Sequence, residues 1–95
     1  MIESAIQKTI VDSLKSAGYI VIRMNAGKGR NNQWLAPPGT PDLLAVGRGR
    51  LFWVEVKTAT GKVSERQTQM HDYLTVNGQN VIIARCVEDV MEALK

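Results

Sequence analysis

The sequence predicts a single α/β domain, spanning residues 1–95, in which helices flank both faces of a mixed four-stranded sheet. Segments with helical periodicity alternate with short apolar runs, which are typical of buried strands. Two of the apolar runs flank a glycine-containing turn, as in a β-hairpin. Both faces of this hairpin are apolar, so helices should cover both of them in a three-layer arrangement.

The first helix is predicted from Met1 to Ala17, because an apolar stripe recurs there at helical spacing and Gly18 follows as a stop. The run from Tyr19 to Met24 is short and almost wholly apolar, which predicts a central strand. Asn25 to Pro38 is rich in glycine, asparagine and proline, and is therefore predicted to be a loop without regular structure over most of its length.

The segment from Gly39 to Lys57 contains the hairpin. Its two apolar runs flank the turn Gly47–Arg50. The predicted register pairs Val46 with Leu51, Leu44 with Trp53, and Asp42 with Glu55. Directly opposite residues share a face of a sheet, as do residues two apart on one strand. Asp42, Glu55 and Lys57 should therefore point the same way. Gly39, just before Asp42, should let the backbone come close to substrate or metal.

The C-terminal third supplies a helix, a strand and a last helix. Ser64 is the predicted N-cap of a helix that runs to about Asn77, with Gln67 at its third position. Asn80 to Arg85 is an apolar strand that follows this crossover helix, so it should run parallel to the second hairpin strand. A short C-terminal helix is predicted from Val87 to Leu94.

The facing carboxylates of Asp42 and Glu55 require a physical reason. Like charges directly opposite each other destabilise a sheet, and an apolar hairpin would partly desolvate them. A divalent cation removes both objections, because hard cations take oxygen ligands. A lysine beside such a site suits phosphodiester hydrolysis, in which the metal activates water and the ammonium group holds the attacking group.

These residues resemble the PD-(D/E)xK nuclease signature, with Pro41-Asp42, a hairpin, and then Glu55-Val56-Lys57. The surrounding GTPD sequence and the later segment 64–67 are similar to the VRR-NUC branch of that superfamily. The resemblance runs from Glu3 to about Arg85. It implies a restriction-endonuclease-like αβββαβ core and a DNA endonuclease that depends on Mg²⁺ or Mn²⁺.

The resemblance also implies roles for single residues. Asp42 and Glu55 would be metal ligands, with the Val56 carbonyl as a backbone ligand between them. Lys57 would position or activate the water. Glu3 would complete the site from the first helix, although an acid near a helix N-terminus is also favourable by itself. Gln67 would orient the lysine or the substrate, or would serve only as a helix cap.

The formal net charge is +3, and its distribution points to a polyanionic substrate. The segment 23–66 holds eight basic and three acidic residues, two of which are the predicted metal ligands. Lys28 and Arg30 lie in the glycine-rich loop and are predicted to contact phosphates. Arg23 could contact substrate or only end the strand.

Other side chains are predicted to be structural. Arg48 and Arg50 should form a soluble hairpin tip at the end far from the carboxylates. Trp34 and Leu35 should anchor the loop, with base stacking and packing on a second subunit as alternatives. His71, the single histidine, is expected on the surface or in packing rather than in catalysis.

Resemblance to Holliday-junction resolvases and to stand-alone phage and bacterial members implies a homodimer that selects branched DNA. The alternatives are a non-catalytic nucleic-acid-binding module and a metal enzyme acting on small phosphate esters. A single cysteine, Cys86, and the lack of a signal peptide or membrane-spanning run predict a cytoplasmic protein in a prokaryotic or phage-infected cell.

Overall fold

The computed structural model describes residues 1–24, 27–28 and 34–95, with the side chains of 1–24 and 36–95. Within them the chain forms three helices, a four-stranded sheet and a separate two-stranded ribbon. In chain order the elements are α1 Glu3–Ser16, β1 Ile20–Arg23, β2 Gly27–Lys28, β3 Trp34–Ala36, β4 Leu43–Gly47, β5 Arg50–Val56, α2 Glu65–Val76, β6 Asn80–Ala84 and α3 Val87–Ala93.

The predicted hairpin is confirmed with its register. β4 and β5 pair antiparallel, with Val46 opposite Leu51 and Leu44 opposite Trp53. Arg48 and Gly49 form the two-residue turn, with φ of 51° and 75°. Positive φ at both central positions is the geometry that joins twisted antiparallel strands most directly. The turn therefore fixes which side chains of β4 and β5 share a face.

The sheet has the order β1-β4-β5-β6, and it is mixed as predicted, because β5 and β6 run parallel. One expectation about the first half was wrong, because β1 lies at the edge of the sheet rather than at its centre. Within the segment Asn25 to Pro38, the two short strands β2 and β3 pair antiparallel.

The main core lies between the sheet and the two helices α1 and α3. The apolar stripe of α1 is buried there, against residues that alternate along β4 and β5. The fully or nearly fully buried residues include Ile10, Leu14, Leu43, Ala45, Phe52, Val54, Val56, Ala84 and Val90. Tyr19 and Phe52 meet edge to face, with ring centroids 5.4 Å apart. This core makes the backbone of the hairpin rigid on one side.

The opposite face of the sheet is covered only in part. α2 lies on this side, and His71 is its one buried residue. Ile83 of β6 is 42% exposed on this face, and four neighbouring residues of β1, β4 and β5 are exposed as well: Ile20 at 69%, Ile22 at 45%, Val46 at 37% and Leu51 at 46%. We refer to these last four residues as the apolar strip. Helices therefore flank both faces of the sheet, as predicted, but α2 leaves β1 uncovered.

None of the described helices has the length and apolar composition required to span a membrane.

Candidate active site

Asp42 and Glu55 come together at one end of the hairpin, as the sequence predicts. Leu43 is paired with Val54, so Asp42 and Glu55 occupy the next position along the two strands. The backbone of Asp42 is fixed, because its carbonyl accepts a hydrogen bond of 2.8 Å from the Met24 amide. The Asp42 Oδ2 atom accepts a second bond, of 2.8 Å, from the Val56 amide. Asp42 is therefore held in place by hydrogen bonds with main-chain amides.

Glu55 is almost completely buried, with 1% of its surface exposed. Burial, followed by a hydrogen bond with the Asp42 carboxyl group and the Asp42 charge, raises the pKa of Glu55 to about 8 from 4.5. The Lys57 charge acts in the opposite direction. The carboxyl group of Glu55 therefore holds its proton at neutral pH. A divalent cation can bind to Asp42 and Glu55 by displacing the proton that Glu55 holds.

Gln67 fulfils its predicted capping role and also contacts the acidic pair. Its amide oxygen accepts from the Ser64 amide at 2.9 Å, and its own backbone amide donates to Ser64 Oγ at 3.1 Å, which forms a capping box. Its side-chain nitrogen also donates to Glu55 Oε2, at 3.4 Å. The helix cap and the acidic pair are therefore joined through one side chain.

His71 is the site residue that sequence reasoning undervalued. Its Nε2 atom lies 3.1 Å from Glu55 Oε1, and burial lowers its pKa from 6.5. The signal was present in the spacing, because residues four apart on a helix lie on one face, and Gln67 is four residues earlier. His71 is therefore buried against the acidic pair, whereas the sequence favours a surface or purely packing position.

Lys57 and Glu3 lie close enough for their charges to act on the pair. Lys57 is half-buried, and its positive charge lowers the pKa of both Glu55 and His71. Glu3, the exposed first residue of α1, adds to the raised pKa of Glu55. Among the described residues, however, no group of three or more His, Cys, Asp or Glu side chains is arranged to hold a metal ion. Glu3 is thus near the pair without joining it.

The donor set of the pair suits a divalent cation. Two carboxylates supply hard oxygen ligands, which Mg²⁺ and Mn²⁺ prefer. The Val56 amide, donating to Asp42, orients one of these ligands in the manner of an outer-shell partner. The residues present therefore fit a site with Asp42 and Glu55 as its protein ligands.

The glycine of the GTPD segment has a structural role that its sequence context does not indicate. Gly39 has φ of 88°, and a Cβ atom there would lie 2.6 Å from the Arg66 carbonyl oxygen. The close approach that Gly39 permits is therefore between the loop before Asp42 and the backbone of α2. Thr40 Oγ1 donates to the Pro37 carbonyl at 2.6 Å, which tightens the same loop.

Of the basic residues predicted to contact phosphate, Arg23 has a described side chain, whereas those of Lys28 and Arg30 are not described. Arg23 is exposed at the site end of β1, but its register opposite Leu43 places it on the α1 side of the sheet, away from Asp42. The Lys28 side chain, Arg30, and the side chains of Trp34 and Leu35 lie outside the described residues.

At the hairpin tip, Arg48 Nη1 donates to the Ala17 carbonyl at 3.3 Å, and Arg50 Nη1 donates to the Leu94 carbonyl at 2.7 Å. These carbonyls lie at the C-terminal ends of α1 and α3, where cations are favourable. The two arginines are therefore structural, as expected.

The fold and the acidic pair define a nuclease-type domain, and comparison with known proteins agrees. A solved structure described as a VRR_NUC domain matches this chain with a TM-score of 0.76 and 28% sequence identity, over 97% of this chain and 92% of that chain. No protein-family model and no curated protein matches the chain. The structural match confirms the resemblance to VRR-NUC domains seen in the sequence, and with it the restriction-endonuclease-like fold.

Proposed function

We propose that this protein is a metal-dependent DNA endonuclease that hydrolyses phosphodiester bonds. The observation that carries the proposal is the placement of Asp42 next to the buried Glu55, whose pKa is raised, with Lys57 nearby at one end of the sheet. A purely structural domain would gain stability by replacing such a pair with neutral residues, because a buried like-charged pair is costly. The pair therefore indicates a site that works with a cation.

Asp42 and Glu55 would hold Mg²⁺ or Mn²⁺, together with the Val56 carbonyl, and Glu3 would support the site from α1. The bound ion supplies Lewis-acid stabilisation of the phosphate and a more acidic water. Lys57 would hold the attacking water or a phosphate oxygen. Gln67 would keep Glu55 oriented through its contact with Oε2.

DNA would reach the site from the side of the loop 25–38 that leads into Asp42. Lys28 and Arg30 in this loop would contribute phosphate contacts that do not depend on base sequence. Such contacts suit an enzyme that recognises the shape of branched DNA more than its sequence.

The apolar strip supports a homodimer. Monomeric proteins rarely expose large contiguous apolar patches unless these serve an interaction. Ile20, Val46 and Leu51 lie directly opposite one another on three strands, and Ile22 lies two residues from Ile20 on the same face. A second copy seated on this face would form an isologous interface, with two sites related by a two-fold axis. That arrangement could address two strands of a junction.

The proposed location of the protein is the cytoplasm of a prokaryotic or phage-infected cell. The single cysteine, Cys86, is free and exposed, as is usual in a reducing compartment.

Cleavage assays test the proposal. Supercoiled plasmid, splayed DNA and four-way junctions would be incubated with the wild-type protein in Mg²⁺, in Mn²⁺ and in EDTA. We expect cleavage of branched DNA that requires the metal and is lost in Asp42→Asn. Tight DNA binding without cleavage in any metal would favour the alternative, a non-catalytic nucleic-acid-binding module.

A further inference from the structure

Arg85 follows the end of β6, and its side chain reaches the turn that comes directly after Lys57. Its Nη1 atom donates to the Thr58 carbonyl at 2.6 Å and to the Gly61 carbonyl at 2.7 Å. The Ala59 carbonyl lies 3.4 Å from the same atom. One guanidinium group thus holds three carbonyl groups of a four-residue turn.

The turn 58–61 is closed by hydrogen bonds of its own. The Gly61 amide donates to the Thr58 carbonyl at 3.2 Å and to Thr58 Oγ1 at 3.0 Å. A Cβ atom at Gly61 would lie 3.0 Å from Thr58 Oγ1 and 3.7 Å from Lys57 Cδ, so the turn also closes against the lysine side chain. The position of the turn and the position of Lys57 are therefore coupled.

The backbone of Arg85 is fixed from both sides. Its amide donates to Asp89 Oδ2 in the first turn of α3, at 2.8 Å. The preceding carbonyl, that of Ala84, accepts from the Lys57 amide at 3.0 Å. β6 therefore bonds to the backbone of Lys57 and also places Arg85 next to the turn 58–61.

We propose that Arg85 is a positioning residue for Lys57. It fixes the turn 58–61 and so prevents Lys57, which follows β5, from moving away from Asp42 and Glu55. All three carbonyl contacts come from one nitrogen, Nη1, which the planar guanidinium group holds in a fixed direction. The inference rests on the proposed function to the extent that Lys57 acts in cleavage.

Steady-state cleavage by Arg85→Ala tests the proposal. We expect kcat to fall on the order of 10²-fold, since small misplacements of a catalytic group have effects of that size. KM and metal-free DNA affinity should stay unchanged, because Arg85 is placed against the turn rather than against substrate. Added methylguanidinium should restore part of kcat in this variant, whereas urea or potassium chloride should not.

Arg50→Ala is the matched control, because Arg50 also donates to a carbonyl but lies at the opposite end of β5. It should keep wild-type kcat and show no response to methylguanidinium. Arg85→Lys should retain only part of the activity. A wild-type kcat in Arg85→Ala, or a loss expressed in KM without rescue, would overturn the proposal.

A second variant pair guards against a folding defect in Arg85→Ala. Asp89→Ala removes the acceptor for the Arg85 amide, while Asp89→Asn keeps it, so only the alanine variant should lower kcat. Amide hydrogen exchange at 58–61 provides a readout that does not need cleavage, and exchange should accelerate in Arg85→Ala and stay slow in Arg50→Ala. If the wild-type protein cleaves no DNA, the proposed function is wrong. If amide exchange at 58–61 is the same in Arg85→Ala and in wild-type protein, the proposed role of Arg85 is wrong, whether or not DNA is cleaved.

Discussion

The Nε2 atom of His71 lies 3.1 Å from the Oε1 atom of Glu55, with both side chains buried. Glu55 Oε2 is engaged by Gln67 on the same helix. Two side chains from one face of α2 therefore hold both oxygens of a carboxyl group carried by the sheet. The orientation of the proposed metal ligand thus depends on α2 as much as on the hairpin.

Replacing His71 should weaken metal binding without removing it. Loss of an outer-shell partner typically lowers metal affinity about 10- to 100-fold, and His71→Ala should fall in this range for Mn²⁺ measured by calorimetry. His71→Gln keeps a donor at a similar reach and should recover most of the affinity. Equal Mn²⁺ affinity in His71→Ala and wild-type protein would mean that the contact has no role in orienting Glu55.

Neutralising either carboxylate should abolish cleavage and leave the fold intact. For Asp42→Asn and Glu55→Gln we expect a loss on the order of 10³-fold or more, because a catalytic metal contributes several kcal/mol. Circular dichroism should be unchanged. Asp12→Asn, which alters an exposed carboxylate of α1 paired with Lys8, is the control. Cleavage by Asp42→Asn at the wild-type rate would refute the site assignment.

The metal-free protein should become less stable as pH rises. The pKa of Glu55 is about 8 in the folded state against an ordinary 4.5, so between these values the folded protein binds more protons than the unfolded chain. This contribution makes the free energy of unfolding decrease with increasing pH across this window and level off above it. The lowered pKa of His71 acts in the opposite direction up to its ordinary value of 6.5, so the net decrease is expected between pH 6.5 and about 8. Denaturant unfolding in EDTA at several pH values measures the slope.

Variants separate this effect from other titrations. Glu55→Gln cannot titrate, so it should lack the decrease between pH 6.5 and about 8 and be more stable than wild-type protein near pH 8. Asp12→Asn should keep the slope, because the hydrogen bond from Lys8 lowers the pKa of Asp12 and moves its titration below the window. Added Mg²⁺ should stabilise wild-type protein most at the upper end of the window, where no proton competes. A stability that is flat with pH in wild-type protein would show that the carboxyl pair retains no proton.

The loop that contains Lys28 and Arg30 should govern DNA affinity. Replacing both with alanine should weaken binding for all sequences and reduce the slope of log affinity against log salt by about 0.9 for each phosphate that the variant no longer neutralises. The double variant of Arg48 and Arg50 changes the net charge equally but alters the hairpin tip. It should keep the wild-type slope, and an unchanged slope in the loop variant would place the phosphate-binding residues elsewhere.

Charging the apolar strip should separate the proposed dimer. Ile20→Asp places a carboxylate at the most exposed position of the strip, and light scattering at micromolar concentration should then report a monomer. Val76→Asp is the control, because Val76 is an apolar residue of α2 that is 84% exposed and lies outside the strip. A wild-type protein that is monomeric with and without junction DNA, yet cleaves it, would contradict the dimer.

Local patterns predicted the elements and their pairing well. Apolar alternation and a turn of Arg48 and Gly49 were sufficient for the register of β4 and β5, because both act within a few residues. The position of Asp42 opposite Glu55 followed from that register alone. The parallel β6 followed from the intervening helix.

Interactions between distant segments were not predictable in the same way. The burial of His71 depends on how closely α2 packs on the sheet; its spacing from Gln67 indicates the face of the helix but not the depth of burial. The exposure of Ile20 and Ile22 depends on β1 lying at the edge, and an apolar run looks the same at an edge or a centre. The hydrogen bonds of Arg85 to the turn 58–61 join two loops whose proximity only the folded chain reveals.

The close approach of Gly39 to Arg66 changes how a mutational scan of this chain should be interpreted. Any side chain at position 39 would have to displace the backbone of α2, since the nearest atom is the Arg66 carbonyl oxygen at 2.6 Å. A substitution there would abolish activity as completely as one at Asp42, although Gly39 has no reacting group. Protease resistance separates the two cases, because Gly39→Ala should be degraded faster than wild-type protein while Asp42→Asn should not. A scan scored by activity alone would therefore extend the apparent catalytic motif by residues that only hold the scaffold together.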